Sequence, residues 1–120
     1  MAVIYHIISK EEWQEAKKQG EYRPLSLEKD GFIHCSDLDQ VEGVANNLYE
    51  GEDDLLLLAI DENEVDPEIV YEDLYDLGEK FPHIYGPLNT ETVTDAVEFS
   101  VPASGEGKFR IEEIEDKLAD

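Results

Sequence analysis

The chain is short of positive charge. Nine Lys and Arg face 31 Asp and Glu over 120 residues, a formal net charge of −22. A surface this acidic repels nucleic-acid backbones and anionic membranes, which excludes the electrostatic mode of DNA or RNA binding. It favours solubility and costs stability through self-repulsion, most of all at low salt. Cysteine is as scarce. Cys35 is the only one, so no intramolecular disulfide can form. No apolar run approaches the ~18 residues of a membrane span. The start, Met-Ala-Val-Ile-Tyr-His, lacks the basic residues and cleavable apolar stretch of a secretory signal. The expectation is a soluble cytoplasmic protein with no nucleic-acid and no membrane partner. Motifs are missing too: no G-x-x-x-x-G-K, G-x-G-x-x-G, H-E-x-x-H or G-x-S-x-G occurs.

What is present suits one domain. A chain of this length buries roughly two-thirds of its unfolded surface, enough for one modest core. Residues 3–8 read as a strand, with Ile4, His6 and Ile8 on one face and Tyr5 and Ile7 on the other. Ser9-Lys10-Glu11-Glu12 matches a capping box. The helix it opens should run to about Gln19 and stop at Gly20. Residues 21–29 read as a loop carrying Arg23, with Pro24 biasing it towards an extended backbone. Val41, Val44, Ala45 and Leu48 recur at helical spacing and predict a second helix over 38–49, weakened by Gly43, Asn46 and Asn47.

Residues 54–61 are apolar on both faces and read as a central strand covered on both sides. Residues 61–79 are rich in acids and hold no Lys or Arg, with a short strand at Ile69-Val70-Tyr71. A solvated surface is the ordinary reading of such a run. Residues 96–101 alternate as a further strand. Residues 102–107 have linker composition, and 109–118 form a charged tail that docks on the body. The sum is an α+β domain over 1–101 with an acidic C-terminal extension over 102–120.

The three histidines all lie in short apolar segments: Tyr5-His6-Ile7, Ile33-His34-Cys35 and Pro82-His83-Ile84. In Asp30-Gly31-Phe32-Ile33-His34-Cys35-Ser36, Gly31 supplies a turn, and Ser36 is placed to cap the next helix. Alternation puts Phe32 and His34 on one face, Ile33 and Cys35 on the other. Cys35 thus reads as a buried, inert thiol. Phe81-Pro82-His83-Ile84-Tyr85-Gly86-Pro87-Leu88 reads as a stiff, shaped loop that seals a core or lines a pocket. The histidine separations match no metal-ligand spacing, so no metal is expected. Ordinary hydrogen-bonded, partly buried histidines are the plain alternative to a site.

Together, Ile4-Tyr5-His6-Ile7, the run Gly31 to Ser36 and the run Phe81 to Leu88 resemble the domain-of-unknown-function 952 family of small bacterial proteins. The resemblance spans about residues 3–101. That family is similar in fold to the ADP-ribosyltransferases, near the histidine-bearing branch that includes RNA 2′-phosphotransferases. It implies a split antiparallel sheet with two principal helices and a cleft sized for a nicotinamide dinucleotide. It places His6 where that superfamily has a ribose-binding histidine or arginine. It places His34, followed by Ser36, near the motif that frames nicotinamide. The third position, often glutamate, has no clear match, and His83 and Tyr85 are its candidates.

The expected catalytic set is therefore His6, His34 and His83. The expected ligand-binding set is Phe32, Ser36, Tyr85 and Arg23, and NAD is the cofactor implied. A dinucleotide pyrophosphate seeks Arg, Lys or a helix N-terminus. The chain offers only Arg23, Lys10, Lys80 and two helix starts. Two readings stay open: an ADP-ribosyltransferase-like enzyme acting on NAD or an ADP-ribose-containing ligand, and a small-ligand-binding module of the same fold without turnover.

Overall fold

The computed structural model describes residues 3–74, 78–103 and 105–118. At its centre is Leu55–Asp61, the fourth strand, in which Leu55 to Ile60 are all buried. On one side it pairs antiparallel with β1 (Val3–Ser9), which sets His6 opposite Leu58. On the other it pairs with β8 (Val93–Phe99), with a register shift between Ala59 and Ile60. Its two faces are covered from opposite sides, by the α1 and α3 clusters, hence its unbroken apolar run. Ile4, Ile8, Leu56, Leu58 and Ile60 pack with Trp13 and Ala16 of α1 (Lys10–Gln19). Tyr5, Ile7, Leu55, Leu57 and Ala59 pack with Val41 and Ala45 of α3 (Leu38–Leu48).

Local chemistry explains the helix ends. Glu12 N–H donates to Ser9 Oγ at 3.1 Å, and Gly20 closes α1 in the left-handed region at φ 76°. The segment expected as a loop holds a short helix, α2 (Leu25–Asp30), which buries no residue. It therefore leaves no apolar period in the sequence to find. Asp37, and not Ser36, caps α3. Its N–H donates to Gln40 Oε1 at 2.9 Å, and the Gln40 amide donates to the Lys80 carbonyl at 2.8 Å.

The remaining strands form a three-stranded sheet of β3 (Ile33–His34), β6 (Phe81–Ile84) and β5 (Ile69–Glu72), in that order. A two-stranded pair joins β2 (Glu21–Tyr22) to β7 (Leu88–Asn89). All pairings are antiparallel. The stretch expected as a stiff loop is thus mostly strand, with β6 in the middle of its sheet. Pro82 is the reason the sheet then divides. Cys35 N–H donates to the Pro82 carbonyl at 3.0 Å, but proline has no N–H to return the bond, and the ladder stops there. One residue on, Ser36 exchanges two 2.8 Å backbone bonds with Tyr5. The β1–β4–β8 and β3–β6–β5 sheets meet at that bridge.

The chain after β8 returns to the body. Phe109 is 1% exposed and Ile114, in α4 (Glu112–Glu115), is buried in the core beneath α3. Asn46 holds the segment from both ends of its amide: Oδ1 accepts from Phe109 N–H at 2.9 Å and Nδ2 donates to the Phe109 carbonyl at 3.0 Å. Residues 104, 119 and 120 of the expected extension lie outside the described residues, as do Met1, Ala2 and Asp76. Among the described residues no helix is long and apolar enough to cross a membrane.

Candidate functional site

Pairing in the β3–β6–β5 sheet decides which side chains meet. Ile33 lies opposite Ile84 and His34 opposite His83. Ile33, Cys35 and Ile84 point into the core under α1. Alternation therefore puts Phe32, His34 and His83 on the other face. Val70 pairs with His83 and Glu72 with Phe81, so Glu72 stands on that face too. Phe32, itself 4% exposed, is the hub. His83 stacks on it at 4.1 Å between centroids and 18°, His34 meets it edge-on at 4.8 Å, and Tyr85 leans on it at 5.3 Å. The two imidazoles are 5.4 Å apart.

Carboxylates hold this face. His83 is 1% exposed, and its Nδ1–H donates to Glu72 Oε2 at 2.9 Å. The Tyr85 hydroxyl donates to the same oxygen. These two bonds, Tyr85's first, keep the Glu72 carboxyl below the usual glutamate range. His34 is different. Its side chain is 41% exposed, and Nε2 lies 3.3 Å from Asp30 Oδ2 at the end of α2. The arrangement offers an accessible imidazole oriented by one carboxylate, beside a second carboxylate that carries two donors. Such groups suit proton transfer and hydrogen bonding to hydroxyls, next to the exposed ring of Tyr85, which can receive a flat ligand.

His6 stands behind this face. It shares the α1 side of β1 with Ile4 and Ile8. Its Nδ1 contacts the His34 carbonyl, which can only accept, so Nδ1 carries the proton. Nε2 then accepts from the Tyr22 hydroxyl at 2.9 Å. Burial pushes its pKa from 6.5 down to about 4, so the ring is neutral at pH 7. Burial also raises the Tyr22 phenol.

Of the residues expected from sequence, the structure gathers His34, His83, Phe32 and Tyr85. His6 reaches them through the His34 main chain. Ser36 is 7% exposed and its backbone is engaged with Tyr5. Arg23 bonds the Glu21 carboxylate, and Lys10 is paired with Asp54 and Glu98. Cys35 is 4% exposed and burial pushes its thiol up, so it packs rather than reacts. Among the described residues no cluster of three or more His, Cys, Asp or Glu is placed to hold a metal ion.

Sequence reasoning missed Glu72, Asp30 and Tyr22. Glu72 sits at the end of a strand inside an acid-rich stretch. Only the β5–β6 register, which local pattern does not carry, distinguishes it from its solvated neighbours.

Comparison with known proteins bears on the family and the fold. The sequence model of the family described as "Protein of unknown function (DUF952)" matches residues 7–96. The crystal structure of protein CC0527 from Caulobacter crescentus is similar at a TM-score of 0.80 and 30% identity, covering 93% of this chain and 96% of that one. Its solution NMR structure gives 0.77 and 32%, covering 99% and 98%. No curated protein matches the sequence.

Proposed function

The chain belongs to the DUF952 family, and from that premise we propose that the Phe32–His34–His83–Tyr85 face is a ligand site of ADP-ribosyltransferase type, acting on NAD or an ADP-ribose-containing ligand. Glu72 is the observation that carries the reading. The superfamily resemblance left its third position, often glutamate, without a match in the sequence. Glu72 supplies a carboxylate on the same face as His34 and His83.

In this reading the exposed ring of Tyr85 packs on the nicotinamide, Phe32 backs that ring from within, and His34 hydrogen-bonds the adjoining ribose. The bond from ribose C1′ to the pyridinium nitrogen breaks, and its electron pair leaves with nicotinamide. The positive charge left on the ribosyl group is opposed by the Glu72 carboxylate. An acceptor hydroxyl then bonds to C1′ and gives its proton to Glu72. His6 acts as a positioning residue through the His34 carbonyl. Arg23 is the base assigned to a ligand phosphate, at the cost of its pair with Glu21. Binding without turnover is the second reading. It is favoured by the two donors already on Glu72 Oε2, which lower the basicity of that carboxylate.

The test compares the wild-type protein with His34→Ala, each by melting curve and by calorimetric titration with NAD, ADP-ribose and nicotinamide. The expected result is affinity weaker by about tenfold or more, equivalent to about 1.4 kcal/mol, at a nearly unchanged melting temperature. Unchanged affinity with a large loss of stability would make His34 structural and end the proposal. Released nicotinamide on incubation with NAD separates the enzyme from the binding module.

A further inference from the structure

We infer that the outer edge of β5 is a docking surface for an extended basic peptide, which joins the β3–β6–β5 sheet as a fourth strand with Lys or Arg at alternate positions. The inference stands apart from the ligand reading of the histidine face.

The backbone shows that the edge is open. β5 ends its sheet and has β6 on one side only. Tyr85 N–H donates to the Glu68 carbonyl at 2.8 Å, and bonded and unbonded pairs alternate along an antiparallel ladder. Val70 with His83 and Glu72 with Phe81 are therefore the bonded pairs, and Ile69 with Ile84 and Tyr71 with Pro82 the unbonded ones. Pro82 agrees with this phase. Its carbonyl accepts from Cys35 on the β3 side, and it has no N–H to offer Tyr71. The N–H and C=O groups of Ile69 and Tyr71 thus point away from the sheet. Among the described residues nothing bonds them. Such an edge is a template for another strand.

The side chains decide which strand fits. Residues 61–73 hold seven acids and no Lys or Arg. Glu68 is exposed and shares the histidine face with Glu72. Tyr71, 41% exposed, takes the opposite face, where its hydroxyl donates to Glu62. An added strand therefore meets a carboxylate on either side of the sheet. Lys or Arg beside Glu68 and Glu72 form cross-strand ion pairs, and apolar residues between them lie beside Ile69 and Tyr71. A second copy of this chain brings the same acids and is repelled. The charge that guards β5 against its own kind leaves it open to a basic strand. β8, at the edge of the other sheet, lacks this bias, because its Glu98 already holds Lys10.

The experiment is calorimetry and amide hydrogen exchange by NMR on the full chain. The probe is a capped Lys-Val-Lys-Val-Lys-Val-Lys peptide, with its Glu-Val counterpart as control. The lysine peptide should bind at least about tenfold tighter than the glutamate one, and more weakly at ~500 than at ~50 mM KCl. The Ile69 and Tyr71 amides should exchange at least about tenfold more slowly in the complex, while those of Val70 and Glu72 are protected in both states. Glu68→Gln should cost about threefold in affinity, and Glu112→Gln, in α4, nothing. Tyr71→Pro removes only an outward N–H and should abolish binding. Where that variant does not fold, two lysine peptides replace it, N-methylated at one or the other alternate set of amides, and only one of them should still bind. Binding that leaves the Ile69 and Tyr71 amides exchanging freely would be charge attraction without strand pairing and would overturn the inference. So would equal binding of the two peptides, or binding of neither. Protection of those amides in the free chain that grows with protein concentration would make the occupant a second copy and overturn it as well.

Discussion

His6 and His83 are the same side chain in two opposed settings. His83 is buried and His6 half-buried near the split between the sheets. His6 bonds a carbonyl and a phenol, groups that carry no charge at neutral pH. His83 bonds a carboxylate that also holds Tyr85. A carbonyl can orient an imidazole but cannot take its proton, whereas a carboxylate can do both. Withdrawal from water therefore does not settle what a histidine is for. The charge of its partner bears on whether the ring can pass on a proton, and in this His6 and His83 differ.

Removing His6 is the heaviest blow to this contrast. His6→Ala leaves the Tyr22 hydroxyl and the His34 carbonyl without their partner and opens a hole behind β3. A loss of about 3 kcal/mol is expected in urea denaturation. A loss below about 1 kcal/mol would mean that the two settings do not differ as described.

Acid gives a nearly equal effect with a definite sign. His6 titrates near 6.5 when unfolded and at about 4 in the fold, so as pH falls the unfolded chain takes up a proton first. The stability is complete above pH 6.5 and drains between there and pH 4, by about 3 kcal/mol in all. His6→Gln should lose that part of the pH dependence, as measured by urea denaturation at a series of pH values. An unchanged profile would count against a buried neutral imidazole.

Changing the partner on the other side should act mainly on binding. Glu72→Gln keeps the shape and removes the charge, so its melting temperature should fall less than that of His6→Ala. A larger fall would make the carboxylate a structural anchor. The smallest effect expected is that of salt. The acids of 61–73 have no Lys or Arg among them, and screening sets in over a Debye length of ~8 Å at 0.15 M. The melting temperature should rise by a few degrees from very low to moderate salt, and a flat or falling curve would count against self-repulsion.

Elements whose pattern is local were readable in the sequence. Residues 3–8 and 54–61 became β1 and β4, the capping box and Gly20 bound α1, and Val41 and Ala45 face the core from α3. Failures came where partners are distant or absent. α2 packs only the partly buried Leu27 on the core, too little to leave a period. β2 and β7 are two residues each and exist through their mutual pairing. β6 contains Pro82, which argues for a loop until its neighbours on both sides are known. The strand over 96–101 begins three residues earlier, at Val93, because β4 templates it. Within the site, Phe32 and His34 were placed on one face by alternation alone. Glu72 needed the register of β5 on β6, which no local signal encodes.

Asn46, a residue that weakens a helix by propensity, does for Phe109 what a neighbouring strand would otherwise do. This bears on the order in which the chain can be completed. The core beneath α3 holds Val41 and Ala45, from early in the chain, and Phe109 and Ile114, from near its end. During synthesis the β1–β4 pairing and α3 can form first, but their shared apolar surface stays uncovered until residue 109 has emerged. A fragment stopped at residue 96, where the family match ends, would carry every group of the histidine face and still expose the bed of Phe109. The end of the family match is therefore not the point at which the core beneath α3 is covered, and aggregation of such a fragment would be the visible sign.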